Sequence, residues 1–173
     1  MIRSLGGLSP RIDKSAFISE TAYVIGDVEI CEGASIWPGV VIRGDSGKVT
    51  IGKFTCIQDN SVVHGDSDVI IGERVVIGHS VMCHAKFVGR RVLIGNGSTV
   101  NDGVEIGEDS LVASSSMVVD KMIVPPMSLV AGLPARVKGR VSEKHTALIK
   151  TTCEIYIKKG RQYKEEGGLE SSI

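Results

Sequence analysis

At 173 residues and 42% hydrophobic, the chain is sized for one domain with a buried core. Its 20 Lys and Arg balance its 20 Asp and Glu, so no net field draws a nucleic acid or an anionic membrane, and neither is expected as a partner. Met1 to Ser4 lead into Gly6 and Gly7 with no signal-like apolar run, and no stretch reaches membrane-spanning length, which reads as a cytoplasmic protein.

Glycine is abundant (21 residues) and aromatic residues are scarce (4%), which disfavours a core of bulky interlocking side chains and favours a repeat. Every sixth residue from Val24 gives Ile30, Ile36 and Ile42. The count restarts at Ile51 (Ile57, Val63), at Ile71 (Ile77, Cys83), and at Val88, which continues through Ile94, Val100, Ile106, Val112, Val118 and Val124 to Val130. Neither a heptad nor strand alternation keeps a period of six. The pattern predicts an all-β solenoid of hexapeptide repeats in which each flat face sends one aliphatic side chain inward, with corners at the Ile-Gly pairs 25–26, 51–52, 71–72, 94–95 and 106–107. Three faces make one coil, so residues 18 apart in the regular repeat stack about 4.8 Å apart. Three extra residues between Ile42 and Ile51, two between Val63 and Ile71, and one missing between Cys83 and Val88 mark protruding loops or tightened corners.

The segment from Ala131 to Ala135 ends the repeat, and Ser142-Glu143 reads as an N-cap with an acid in the first turn. A helix is expected over about 142 to 159, with Leu148, Thr152 and Ile155 on its packing face and Gly160 as its stop. The tail from Glu165 to Ile173 is expected to fray. The organisation is therefore a β-helix domain over 1–140 followed by a helix and tail over 141–173. Cys31, Cys56, Cys83 and Cys153 form no CxxC pair and read as small packed side chains.

Corrected for the interruptions, Arg43, His64, His84 and Asn101 follow stacked aliphatics and form one outward column, with His64 and His84 on adjacent rungs. Imidazoles on rungs about 5 Å apart can share a zinc ion with nitrogens near 2.0–2.1 Å from it. His79 lies two residues after Ile77, on the preceding face, out of reach of that ion within one chain. A threefold assembly would bring it from a neighbour and complete a three-histidine site with an open fourth position. Surface imidazoles on a solenoid are also commonly mere polar decoration, and His145 at the helix start reads as solvated or capping.

The runs Ile42-Arg43-Gly44-Asp45, Ile57-Gln58-Asp59-Asn60-Ser61, His64, and Ile77-Gly78-His79 with His84 five later resemble the gamma-class carbonic anhydrases and carbonic-anhydrase-like hexapeptide-repeat proteins. The likeness covers nearly the whole chain, from Trp37-Pro38-Gly39 through Pro125-Pro126 to Gly132-Leu133-Pro134-Ala135 and the helix. It implies a left-handed parallel β-helix with a C-terminal α-helix, a homotrimer with a metal at each subunit interface, and His64 and His84 from one chain with His79 from the next. It implies Zn2+, or equally Fe2+ or Co2+, and hydration of carbon dioxide to bicarbonate by a metal-bound hydroxide. It further implies an interfacial ion pair of Arg43 with Asp45 and a hydrogen bond from Gln58 near the metal-bound solvent. It aligns Tyr156 with a tyrosine that approaches the site in some members, although helix packing alone also accounts for that residue.

The likeness departs at the acidic loop. Ser46-Gly47 follow Asp45, and the short turn Gly65-Asp66-Ser67-Asp68 follows His64, so neither of the family's shuttle glutamates is matched. Asp66 and Asp68 are the carboxylates left in reach, and turn chemistry alone also accounts for both. Cys56 stands where asparagine is common. Two other readings stay open: a hexapeptide-repeat acyltransferase or acyl-CoA thioesterase, and a structural subunit of a larger complex.

Overall fold

The computed structural model describes residues 1–170. The aliphatics at period six do what their spacing demands: the chain winds as a left-handed parallel β-helix of about seven turns, followed by one C-terminal helix. Three interior columns result. One stacks Val24, Ile42, Val63, Cys83, Val100 and Val118, the second stacks Ile36, Ile57, Ile77, Ile94, Val112 and Val130, and the third stacks Ile30, Ile51, Ile71, Val88, Ile106 and Val124. All are buried. Burying a Val or Ile side chain contributes about 1.5–3 kcal/mol relative to exposure, so the repeated aliphatics are the fold's main support.

The interruptions fall where the sequence puts them. Opposite Gly26 to Val28, the partner strand runs from Gly44 to Val49, so three extra residues bulge out within the strand Val41–Ile51. Later pairs then shift together: Ile42 pairs Val63, Val63 pairs Cys83, and Cys83 pairs Val100.

The corners differ from expectation. Residues in the left-handed conformation recur every six positions, at Arg91, Gly97, Gly103, Asp109, Ser115, Lys121 and Met127, three residues after the aliphatic rather than one. The non-glycine members each carry a backbone cost of about 1 kcal/mol. Their N–H groups bond to the coil before, as when Ser115 N donates to Asn96 O at 2.8 Å. The glycines of the Ile-Gly pairs serve close approach of coils instead. A Cβ at Gly107 would stand 2.4 Å from Pro126 N.

The hairpin of Ser128–Gly132 with Ala135–Arg140 closes the solenoid, and the helix Glu143–Glu166 runs back along the face of the second column. Ser142 caps it as expected, and His145 completes the cap: its N–H donates to Ser142 Oγ, and its Nδ1 accepts from Ser142 N at 3.1 Å. Three expectations for the helix are corrected. It runs past 159 to Glu166, and Gly160 is no stop but a buried contact whose missing Cβ leaves room for Ser35 Cβ at 3.0 Å. Its buried face is Ile149, Cys153, Ile157 and Gly160, whereas Leu148 and Ile155 are exposed. Phe17 and Trp37 of the solenoid pack tilted or edge to face with each other and with Tyr156 and Tyr163 of the helix, with ring centroids 5.0–5.6 Å apart. The tail is tied down as far as Glu170, which bridges Ser19 and pairs with Lys164 at 3.0 Å. Residues 171–173, the end of the segment expected to fray, lie outside the described residues.

Candidate metal centre

His64 and His84 each follow a short strand, Val62–Val63 and Met82–Cys83, and the ladder continues one residue beyond both. His64 N donates to Cys83 O at 3.1 Å, and His84 N donates to Val100 O at 2.8 Å. The two backbones are thereby fixed on neighbouring rungs, and both side chains leave the same corner. His64 Nδ1 lies 3.0 Å from His84 Nε2. Two nitrogens bound to one tetrahedral ion at 2.0–2.1 Å stand about 3.3 Å apart, so the pair is within a few tenths of an ångström of sharing a cation.

The far nitrogen of His64 is held as well. Nε2 is 2.8 Å from Asp45 Oδ1, and Asp45 Oδ2 accepts from Arg43 Nη1 at 2.9 Å. A carboxylate on the far nitrogen makes it the protonated one and turns the Nδ1 lone pair toward His84, the outer-shell arrangement common to ligand histidines. Arg43 and Asp45, expected as a pair, are thus joined within one chain, and the bulge that carries Asp45 brings it onto the histidine. Asp66 belongs to the same cluster, with a carboxylate oxygen and one ring nitrogen of each histidine all within 4.8 Å of one another.

His79 is elsewhere. It follows Val76–Ile77 on the second column, and among the described residues it joins no cluster with His64 and His84. Its surroundings repeat the same logic. Asp59, His79 and Asn96 occupy successive rungs: Ser80 N donates to Asp59 O, Gly97 N donates to His79 O, and His79 N donates to Asn96 Oδ1 at 3.0 Å. Asp59 Oδ2 lies 3.0 Å from His79 Nδ1, leaving Nε2 as the free acceptor, to which Tyr156 Oη donates at 3.4 Å. Burial, with Cys56 and Asp59 adding to it, pushes the Tyr156 phenol above its ordinary value, so it stays a neutral donor. Buried Gln58, His79, Asn96, Leu148, Thr152 and Tyr156 line one groove of about 300 Å3 between helix and solenoid.

The sequence-predicted residues therefore fall into two groups within the chain: Arg43, Asp45, His64 and His84 at one corner, Gln58, His79 and Tyr156 at another. Asp59 was not singled out by sequence reasoning, although it lies one coil from His79 by the same corrected count that joins His64 to His84. Cys83, beside His84, points inward and is fully buried, as its aliphatic slot implies. Neutral imidazoles converging at one corner fit a divalent transition metal, and imidazole suits zinc, iron and cobalt alike.

No family model matches the chain. It is 38% identical over 166 residues to a carbonic anhydrase of Geobacillus kaustophilus, a match covering 95% of this chain and 91% of that protein. It is 38% identical over 156 residues to the mitochondrial gamma carbonic anhydrase 1 of Arabidopsis thaliana, covering 86% of this chain but 57% of that protein, so the chain spans little more than half the length of this relative. The crystal structure of a hexapeptide transferase family protein from Anaplasma phagocytophilum superposes with a TM-score of 0.90 at 39% identity, covering 94% of this chain and 98% of that one. Together with the shared repeat architecture, these matches show that the chain belongs to the family of gamma-class carbonic anhydrases and carbonic-anhydrase-like hexapeptide-repeat proteins.

Proposed function

We propose that the chain hydrates carbon dioxide reversibly to bicarbonate at a metal site shared between subunits of a homotrimer. His64 and His84 of one subunit and His79 of the next hold the ion, which we read as Zn2+ or its imidazole-compatible equivalents Fe2+ and Co2+. The observation that carries this reading is the 3.0 Å approach of His64 Nδ1 to His84 Nε2 with Asp45 fixed on the opposite nitrogen. When bound, such an ion makes water a nucleophile near neutral pH, which is the chemistry carbon dioxide hydration requires.

This chain's residues do the rest. Asp45 and Asp59 fix the tautomers of His64 and His79, keeping one lone pair on each available without rotation of the ring. Arg43 holds Asp45 in place through its guanidinium at 2.9 Å. Gln58, buried beside His79 in the groove, presents an amide able to orient a small polar molecule there.

The test is stopped-flow hydration of carbon dioxide on protein purified anaerobically and loaded with zinc or iron, beside His79→Ala. The reading expects activity in the parent and its loss in the variant. The second reading, acyl transfer or thioester hydrolysis, is favoured by the similarity to a hexapeptide transferase family protein. It gains if metal-loaded protein leaves carbon dioxide untouched but turns over an acyl-CoA.

A further inference from the structure

The four-residue turn 65–68 contains the two-residue insertion between Val63 and Ile71, and both of its ends are pinned to the next coil. His64 N donates to Cys83 O at 3.1 Å, and Ile70 N donates to Lys86 O at 3.0 Å. Within the turn, Asp68 does the structural work, its Oδ1 accepting from Lys48 N at 2.9 Å. Asp66 does none. It is exposed, and among the described residues it has no hydrogen-bond or ion-pair partner, yet one of its carboxylate oxygens stands within 4.8 Å of a ring nitrogen of His64 and a ring nitrogen of His84. Donors sharing an ion at about 2.0–2.2 Å stand roughly 3.4 Å apart or less, so rotation of one short, unrestrained side chain closes the gap.

We propose that Asp66 is a third metal ligand supplied by the same chain, so that one chain by itself holds a divalent cation with His64, His84 and Asp66. The inference rests on the metal reading of this corner and adds to it. Two imidazoles and one carboxylate with open positions form a set used for divalent iron and for zinc. The carboxylate also offsets part of the ion's charge where Arg43, spent on Asp45, adds a cation nearby. Capture of the ion therefore does not wait for a neighbour's His79, which exchanges with Asp66 on assembly.

Binding of Co2+ to the full chain, followed by calorimetry and by the visible d–d absorption of the ion, tests this without reference to catalysis. The expected result is one Co2+ per chain in both the parent and His79→Ala. Adding Asp66→Asn to His79→Ala should weaken binding more than about 100-fold, beyond the loss of an outer-shell partner, and change the d–d spectrum. Asp66→Glu should recover part of the affinity, and Asp68→Asn should leave it unchanged, with circular dichroism confirming that each variant folds. Equal affinity with and without Asp66 in the His79→Ala background overturns the inference, as does a His79→Ala chain that binds nothing while the parent binds. Should the parent itself bind no Co2+, the shared-site reading falls with it.

Discussion

His64 Nδ1 and His84 Nε2 lie 3.0 Å apart across neighbouring coils, although 20 residues separate them in sequence. Asp45 fixes one member of that pair, as Asp59 and the rung at Gly78 fix His79, and each constraint can be broken by itself.

Asp45→Asn and Asp59→Asn each replace a carboxylate that fixes an imidazole of the proposed site, at 2.8 Å from His64 and 3.0 Å from His79. Each should lower metal affinity by about 10–100-fold while leaving the number of sites unchanged. Competition against a chromophoric chelator reads the affinity, and thermal unfolding of the metal-free protein should shift little, because both carboxylates sit outside the core.

Gly78→Ala tests the rung beneath His79. The new methyl would stand 2.4 Å from Asn96 Oδ1, 2.9 Å from Asn96 N and 2.9 Å from Ile94 O. Backbone on two sides leaves no easy escape, so a destabilisation of about 1–3 kcal/mol is expected in denaturant unfolding. Loss of the Asn96 contact that holds the His79 N–H should accompany it.

The interior columns should respond to truncation and the outer faces should not. Ile94→Ala, at a fully buried position, should cost about 2–5 kcal/mol, whereas Ile123→Ala, at 72% exposure, should stay within about 0.5 kcal/mol of the parent.

Alkaline stability should carry the mark of a buried thiol. Burial holds the Cys56 thiol well above its ordinary value of 9.0. The folded state keeps that proton at a pH where the unfolded chain has lost it, so the unfolded state binds fewer protons and stability falls as pH rises above 9.0. The melting temperature should decline from pH 9 upward, and Cys56→Ala should make that decline shallower.

Much of the fold was legible because the inward slot of each face takes a compact apolar side chain, nearly always a β-branched aliphatic. The period from Val88 to Val130 therefore survives unbroken, and the interruptions before it can be counted. The same count places His64 beside His84 and separates His79 from them. What the count misses depends on side chains or on small residues. The contact of Asp45 with His64 needs a bulge to fold over the corner, and Asp59 reaches His79 only through the rotamers of both. The helix face is hard to read because half of its buried stripe is Cys153 and Gly160, and Gly160 serves a close fit against Ser35 and Phe17 rather than hydrophobicity. The corner positions carry no compositional mark, since Arg91, Lys121 and Met127 adopt the left-handed conformation alongside glycines.

The central claim is a site divided between subunits, and complementation tests it most directly. One chain carries His79→Ala and the other carries His64→Ala with His84→Ala; each is assembled alone and then together with the other, and carbon dioxide hydration is followed by stopped flow after metal loading. Neither variant alone has a complete three-histidine site. A threefold ring mixing the two has one interface where intact His64 and His84 meet an intact His79, so mixed assemblies should regain up to about one third of parental activity. Mixed assemblies as inactive as the separate variants, beside an active parent, would contradict a shared site.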